Sequence, residues 1–267
     1  MPIAIGIGNM VGGIAGADSS ESRPSSGFKF NIETSNTSSG SSGSSSFKLP
    51  LGSAGTYNFD IDWGDGSSDT ITDYRQSEIT HTYGSSGSYL VEITGTCEFF
   101  SFGNGGDKLK MLDVENWGGT NLTINHRYAF WGCANLTSSA TDSPTVSGDI
   151  GFMFKQCGSI VSGLAGWDLL SVTEMTSFME SSTSYNEDIS GWNVSNITTF
   201  SNFLRRANGF STSNYDALLI GWSAQTVQAS VTFTTAAQYT AGGAAEAART
   251  TLTSAPKNWS ITDGGSA

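Results

Sequence analysis

Five aspartates in one short stretch are the densest group of side chains that could do chemistry: Asp60, Asp62, Asp65, Asp69 and Asp73. Calcium takes about six to eight oxygen ligands, so this acidic turn is a candidate site with Asp60, Asp62 and Asp65 as ligands. The spacing differs from an EF-hand loop, because Trp63 and Gly64 interrupt the carboxylates. We favour a structural interpretation, in which Asp60 and Asp62 face solvent and Asp65 caps its own turn. No cofactor other than calcium is expected.

The remaining reactive residue types are not arranged for catalysis. His81 and His126 are the two histidines, and no G-x-S-x-G turn is present to expose a nucleophilic serine. His81 lies in a strand-like phrase, which indicates a structural role. Glu187 and Asp188 are adjacent, but they lie in a repeated phrase where carboxylates cap turns. The sequence therefore predicts a protein that is not an enzyme.

The three cysteines, Cys97, Cys133 and Cys157, are too few and too odd in number for a disulfide framework. No CxxC motif occurs, so a zinc site is not expected. Cys133 and Cys157 fall at the same position of an internal repeat and should be buried neighbours. Buried free thiols are the favoured interpretation, and a disulfide stays open if the two Cα atoms lie within about 7 Å.

Charge and hydropathy argue against two classes of partner. The net charge is −12 and the pI is about 4.4. A nucleic-acid-binding protein needs a basic patch, whereas the 12 Lys and Arg residues are scattered along the sequence. The basic doublet Arg205–Arg206 is interpreted as a solvated edge of a repeat. No run approaches about 18 apolar residues, so membrane insertion is not expected.

Residues 1–26 are predicted to be an N-terminal docking segment followed by a polar linker. Residues 1–17 are apolar and glycine-rich. A signal peptide begins with a positively charged region, but no basic residue precedes Arg23. Alternating apolar residues there could add a strand to the sheet edge of a partner or of another copy. A strand packed on its own domain is the alternative. The docking residues would be Ile3, Ile5, Ile7, Met10 and Val11.

Residues 27–96 carry a pattern of short β-strands. From Tyr57 to Trp63 apolar residues alternate with polar ones, so one face is buried and the other is wet. Short strands with turns every 8–12 residues or so predict a β-sandwich. The Ser/Gly-rich tract at 35–46 lies between two strand-like runs and is expected to be a long hairpin loop.

Three phrases of this region resemble the signature of the PKD domain, an immunoglobulin-like module of extracellular and surface proteins. The family's WGDG, HxY and G-x-Y-x-V elements stand in order as Phe59-Asp-Ile-Asp-Trp-Gly-Asp-Gly66, Thr80-His-Thr-Tyr83 and Gly87-Ser-Tyr-Leu-Val91. The resemblance implies an immunoglobulin-like sandwich that acts as a spacer or binding module and is seldom catalytic.

An internal repeat follows, with four phenylalanines spaced by 24, 24 and 25 residues and two tryptophans spaced by 25. One repeat cannot bury its apolar side chains alone, whereas stacked repeats share a continuous core. We therefore predict a buried role for these rings. Trp117 and Trp222 are included in that prediction, the alternative being a carbohydrate-stacking stripe of tryptophans. The predicted repeat core is Phe130, Phe154, Phe178, Phe203, Trp167 and Trp192.

The phrase Tyr185-Asn-Glu-Asp-Ile-Ser-Gly-Trp-Asn-Val-Ser-Asn-Ile-Thr-Thr-Phe200 resembles the BspA-type leucine-rich repeat, FN-x-DIS-x-WDVSNVT-x-M. The resemblance is strong over 178–210 and weaker before it, which leaves the number of rungs open. It implies a leucine-rich-type solenoid over 97–212. Residues 213–267 resemble the tail that often ends such arrays, and their two helical patterns predict a small cap with Ser213 as a helix N-cap.

The expected fold is therefore mainly β, an immunoglobulin-like β-sandwich followed by a short leucine-rich-type solenoid with a small helical C-terminal cap. BspA-type repeats occur in bacterial adhesins and in bacteriophage virion proteins. Together with the missing export signals, the resemblances imply a structural or adhesive virion protein: a tail fibre, spike or head decoration subunit.

The expected partners follow from that placement on the virion surface. They are other virion or surface-assembly proteins bound through residues 1–17, a host surface glycan or protein, and further copies of the chain in a homo-oligomer. The alternative is a bacterial cell-surface adhesin outside the cell. A glycan-active enzyme is the third hypothesis, and it needs a carboxylate pair in a groove that the sequence does not reveal.

Overall fold

The computed structural model describes residues 27–118 and 127–267 of the 267-residue chain. The protein is mainly β, with 12% of residues helical and 26% in strands, and the strands form no closed barrel in the described part. This confirms the predicted mainly-β class. No helix within the described ranges is both long and apolar enough to cross a membrane.

The described part of the chain contains two short 3-10 helices, at Ser77–Ile79 and Lys108–Lys110. Its other elements are thirteen short strands and two α-helices. They are β1 (Phe28–Glu33), β2 (Ser46–Lys48), β3 (Tyr57–Asp62), β4 (Ser68–Ile71), β5 (Thr80–Thr82), β6 (Ser88–Cys97), β7 (Met111–Trp117), β8 (Thr137–Ser138), β9 (Gly148–Asp149), β10 (Val172–Glu174), β11 (Phe200–Leu204), α1 (Thr212–Ser223), β12 (Thr232–Thr235), α2 (Ala244–Thr253) and β13 (Ser260–Thr262).

The largest sheet has six strands in the order β4-β3-β6-β1-β7-β8. Its strands pair antiparallel except for β7 and β8, which are parallel. Strict alternation of buried and exposed residues along β3 turns one face to the core, as the period-two pattern predicted. Because β7 pairs with β1, this sheet continues beyond residue 96, where the sequence analysis placed the end of the first domain.

The Ser/Gly-rich tract 35–46 does not form the predicted hairpin. Strand β1 pairs with β6 and β7, whereas β2 pairs with β5 in a separate two-stranded sheet. The tract therefore carries the chain from one sheet to the other. Phe30 of the large sheet and Phe47 of the small one pack with ring centroids 6.0 Å apart. The hairpin expectation was wrong because pairing depends on which apolar faces meet, and adjacent strands need not be partners.

A buried ion pair fixes this crossing segment. Lys110 and Asp107 have fully buried side chains, with Nζ 3.4 Å from Oδ1. Lys110 Nζ donates to the backbone carbonyls of Ser42, Gly43 and Ser46 at 2.7–3.2 Å. Burial lowers the pKa of Lys110, and the Asp107 carboxylate acts in the opposite direction. The carbonyl cage and the carboxylate satisfy the ammonium group, which is the condition for keeping a lysine in a protein interior.

From residue 127 onward the chain repeats a tight turn that pairs with its copy one repeat later. N–H groups of Tyr128 and Phe130 donate to carbonyls of Gly151 and Met153. The same pattern continues twice. The N–H groups of residues 152 and 154 donate to the carbonyls of residues 176 and 178, and those of 177 and 179 donate to the carbonyls of 201 and 203. All these bonds point in one direction along the stack. Three further parallel pairs are β9–β10, β11–β12 and β12–β13. Strand β11 contains the turn residues 201 and 203, and β12 and β13 come after helix α1.

The repeat turns share two left-handed backbone positions. The first is occupied by Tyr128, Phe152, Ser177 and Asn202, with φ from 54° to 65°. The second is occupied by Gly132, Gln156, Ser181 and Arg206, with φ from 60° to 83°. These positions set the structural register, in which Phe130 and Phe154 correspond to Met179 and Leu204.

Phe130, Phe154, Phe178 and Phe203 form a row of rings that we call the phenylalanine column. Relative to the register of the turns, this column shifts by one position between Phe154 and Phe178. Phe130 and Phe154 stack with an interplanar angle of 8°, and Phe178 and Phe203 with 14°. Phe154 meets Phe178 edge to face, at 86° and 5.4 Å. Four rings thus form one continuous column across the shift, because an edge-to-face contact accommodates the offset that a stacked contact would not.

Two helices follow the repeats. Helix α1 begins after Ser211, whose Oγ accepts the backbone N–H of Asn214 at 3.3 Å. Ser213, the N-cap predicted from the sequence, lies inside the helix instead, because the Ser211 backbone takes the extended conformation that a cap requires. Trp222 of α1 packs on Phe200 at 4.8 Å. Apolar side chains thereby shield the last repeat from water.

Candidate functional site

The aromatic residues predicted for the repeat core are all buried. Their exposed fractions are 0–4%, and Trp167 and Trp192 contact the phenylalanine column from one side. Trp117 and Trp222 are also buried. None of these rings can therefore stack on a carbohydrate at the surface.

Trp131 is the exception among the seven tryptophans, all of which lie in the described ranges. It is half-buried, whereas the other six are buried. Its ring lies 5.7 Å from Tyr128 and 6.0 Å from Phe152, and those two rings are 5.0 Å apart. Tyr128 and Phe152 are half-buried too. We call these three residues the aromatic cluster.

The aromatic cluster forms where two successive repeat turns carry an aromatic residue at the first left-handed position, whereas Ser177 at the same position is buried. Tyr128 and Phe152 occupy equivalent positions in adjacent repeats, with φ of 65° and 62°. Bulky residues rarely adopt this conformation, and the next repeats have Ser177 and Asn202 there. The left-handed conformation recurs in all four copies of this position, so it belongs to the repeat turn, and the two rings are what distinguishes these two copies.

A second outward row runs beside the aromatic cluster. We call it the outer column, and its members each directly precede the second left-handed position: Trp131, Lys155, Glu180 and Arg205. Each member contacts the next. Lys155 Nζ lies 5.3 Å from the Trp131 ring centroid and 2.8 Å from Glu180 Oε2, and Arg205 Nη1 lies 3.5 Å from Glu180 Oε1.

Glu180 organises the charged half of the outer column. Its side chain is 8% exposed. Burial would raise the pKa of Glu180, but hydrogen bonds from Lys155 and Ser177 and the charge of Arg205 outweigh burial and lower it. The carboxylate therefore stays ionised, holding two cations with one negative charge.

Arg127 completes this surface on the other side of the rings. Its guanidinium lies 5.0 Å from the Tyr128 centroid and 5.2 Å from that of Phe152, and it pairs with Asp149. Lys155 lies 5.1 Å from Phe152. Cation–π contacts of this kind hold long flexible side chains in place at the surface. The result is an outward surface of preordered aromatic and basic groups.

The acidic turn does not bring its carboxylates together. Asp60 and Asp62 are exposed, as the structural interpretation predicted, and accept hydrogen bonds from Thr70 Oγ1 and the Gly64 N–H. Asp65 accepts from the Ser67 N–H and Oγ. Within the described ranges no group of three or more His, Cys, Asp or Glu side chains is placed to hold a metal ion.

His81 and Asp65 form a polar contact at this turn. Nε2 of His81 lies 2.8 Å from Asp65 Oδ2 and 3.4 Å from Ser67 Oγ, and the imidazole stacks on Trp63 at 4.8 Å. One nitrogen contacts both groups, whereas a catalytic triad uses one nitrogen for the serine and the other for the carboxylate. Burial would raise the pKa of Asp65, but the hydrogen bonds from Ser67 and His81 bring it to about 2.

The three thiols are free and buried, so Cys133 and Cys157 do not form the disulfide left open by the sequence. Burial raises the pKa of Cys97 to about 12 and also raises the pKa values of Cys133 and Cys157. Thiols in this state are neither nucleophiles nor metal ligands at neutral pH.

A cavity of about 220 Å³ lies beside the buried ion pair, between Leu51, Phe102 and Asp107. The Asp107 carboxylate on its wall already accepts hydrogen bonds from Ser42 and Lys48. It is therefore not available as an acid or base for a bound ligand.

Two groups of sequence-predicted residues lie outside the described ranges. They are His126 and the docking residues Ile3, Ile5, Ile7, Met10 and Val11. The aromatic cluster and the outer column were missed by the sequence analysis. Trp131 stands in the repeat phrase that begins with Phe130, and the signal that could have found it is a tryptophan at a position where the next repeat has Lys155.

One family model matches this chain, over residues 124–243, and is described as a Mycoplasma protein of unknown function, DUF285. The match covers a little under half of the chain and contains the aromatic cluster and the outer column. No curated protein and no solved structure matches the chain.

Proposed function

We propose that the chain is a non-enzymatic surface protein of a virion, a tail fibre, spike or head decoration subunit that displays its repeats for attachment. The observation that carries this proposal is the outward surface of the outer column and the aromatic cluster. Half-exposed rings at strained positions do not serve the core, and aromatic and arginine side chains are enriched where proteins bind partners.

The finer fold belongs to the same proposal. Residues 27–96 are a PKD-like immunoglobulin-type sandwich whose larger sheet is extended by β7 and β8, supported by the packing of Phe30 on Phe47 between two sheets. Residues 97–212 are a BspA-type solenoid, supported by the repeated one-way hydrogen bonds between turns. Residues 213–267 cap it, and residues 1–17 dock the subunit to other virion proteins or to further copies.

The absence of catalysis is part of the proposal. In the described ranges the carboxylates of the outward surface are paired with cations, Glu180 with Lys155 and Arg205, and Asp149 with Arg127. A glycosidase needs a carboxyl group free to donate a proton. Calcium at Asp60, Asp62 and Asp65 stays a prediction, and calorimetric titration of the chain with CaCl₂ tests it.

Labelling of intact particles tests the proposed function. Antibodies raised against the repeats should decorate the outside of purified virions in electron micrographs, and mass spectrometry of those particles should detect the chain. Labelling of the bacterial envelope, with none on particles, would favour the alternative cell-surface adhesin. Release of reducing ends from host glycans by the purified chain would favour the enzyme hypothesis instead.

A further inference from the structure

The outward surface concentrates positive charge on an otherwise acidic chain. Three of its 12 basic residues lie there beside two carboxylates, whereas the whole sequence has a net charge of −12. The acids in contact with these cations are Asp149 and Glu180. Local charge complementarity therefore favours a negatively charged ligand. The three residues are Arg127, Lys155 and Arg205.

The aromatic rings beside these cations are the second feature of this surface that can contact a ligand. The face of an aromatic ring is negative, so it attracts the weakly positive C–H groups on the face of a sugar ring. Trp131 and Tyr128 are half-exposed and lie 5.7 Å apart. Lys155 and Arg127 adjoin them, and each has further N–H groups, beyond those that contact Glu180 and Asp149, that can donate to carboxylate or sulfate oxygens.

We propose that the outward surface binds an anionic polysaccharide, with sugar rings on Trp131 and Tyr128 and acidic groups on Lys155, Arg127 and Arg205. This inference rests on the proposed display function and names its ligand class. Three of the four rungs of the outer column present a ring or a cation, Trp131, Lys155 and Arg205, while Glu180 is buried between the two cations. At a rung spacing of about 4.8 Å, this row suits a linear polymer that lies along the stack.

An acidic peptide fits this surface less well than a polysaccharide does. Peptides usually gain affinity by adding a strand to a free sheet edge. Here the N–H groups of Tyr128 and Phe130 already donate to the next repeat, so that backbone is not free. Stacking on rings and pairing with cations therefore remain as the sources of affinity.

Quenching of tryptophan fluorescence gives a direct test on the full chain. Acrylamide should quench mainly Trp131, because the other six tryptophans are buried. Polygalacturonate and heparin, as uronate and sulfate probes, should protect Trp131 from quenching, and dextran, a neutral polymer, should not. Raising NaCl from about 50 to about 500 mM should weaken the protection, since exposed charges are screened.

Substitutions test whether the outer column is the binding site. Trp131→Ala and Lys155→Met should each weaken polygalacturonate or heparin binding, measured by calorimetry, by about tenfold. The matched control is Arg75→Ala, because Arg75 lies 4.7 Å over Tyr74 in a similar cation–π pair outside the repeats. It should bind as the unchanged chain does. Circular dichroism establishes that each variant is folded, and the quenching test needs no substitution.

Several results would overturn the inference. They are no protection by either anionic polymer, equal protection by dextran, equal affinity in Trp131→Ala and the unchanged chain, or a Trp131-dependent preference for polyglutamate over both polysaccharides. Failure here together with labelled particle exteriors would leave the display function standing and exclude only the ligand class. Binding without particle labelling would support the ligand and contradict the virion location.

Discussion

Ser182 and Phe154 are joined across adjacent repeats, with Ser182 Oγ donating to the Phe154 backbone carbonyl at 2.5 Å. The same hydroxyl accepts the Cys157 N–H at 3.1 Å. One repeat earlier, the thiol of Cys157 lies 3.1 Å from the Phe130 carbonyl. Serine and cysteine therefore occupy the same position and perform the same task, which is to give a second hydrogen bond to a buried turn carbonyl that already accepts a backbone N–H.

Replacing Ser182 should show how much this hydrogen bond contributes to the free energy of unfolding. Ser182→Ala removes one of two hydrogen bonds to the Phe154 carbonyl, which also accepts the Cys157 N–H at 3.2 Å, so the free energy of unfolding should fall by about 0.5–1.5 kcal/mol. Cys157→Ser should cost less, because its hydroxyl can donate to the Phe130 carbonyl. Urea unfolding followed by circular dichroism measures both, and equal losses would contradict this explanation.

Replacing Lys110 should destabilise the crossing segment at 35–46. Lys110→Met leaves Asp107 as an unpaired buried charge, and we expect a loss of about 3–5 kcal/mol in the free energy of unfolding. The control is Lys108→Met, since Lys108 Nζ bonds only Asn104 at an exposed site. Subtilisin should cut the segment faster in Lys110→Met alone. Equal cleavage in both variants would contradict the role of the buried pair.

Acid should weaken the turn that Asp65 caps. The pKa of Asp65 is about 2 in the folded chain, below about 3.9 in an unfolded chain. Its contribution to stability is therefore present above about pH 4 and is lost as the pH falls towards 2. In Asp65→Asn the decrease in Tm over that interval should be smaller. Asp60→Asn, at an exposed carboxylate, should keep the original profile, and identical profiles for all three chains would refute the assignment.

The thiols should be unreactive in the folded protein. Burial raises the pKa of Cys97 to about 12, and it raises the pKa values of the other two cysteines as well. A thiol-specific reagent such as DTNB should therefore label none of the three cysteines at pH 8 and all three in guanidinium chloride. Rapid labelling under native conditions would mean that the repeats open locally on the timescale of the assay.

The sequence by itself determined the parts of the protein that follow from apolar spacing. Alternation from Tyr57 to Trp63 predicted β3 and its buried face, and the 24–25-residue period predicted that Phe130, Phe154, Phe178 and Phe203 share one interior. These outcomes depend on the burial of apolar area, which a chain encodes locally through its residue pattern.

The tertiary structure decided pairing, register and the surface. The pairing of β2 with β5 instead of β1, and the shift between Phe154 and Phe178, depend on which faces meet, and spacing alone does not encode that. The gathering of Trp131, Tyr128 and Lys155 required two left-handed turns stacked in register. The spacing of apolar residues predicts which side chains are buried. Which exposed groups lie next to one another is determined only when the repeats stack.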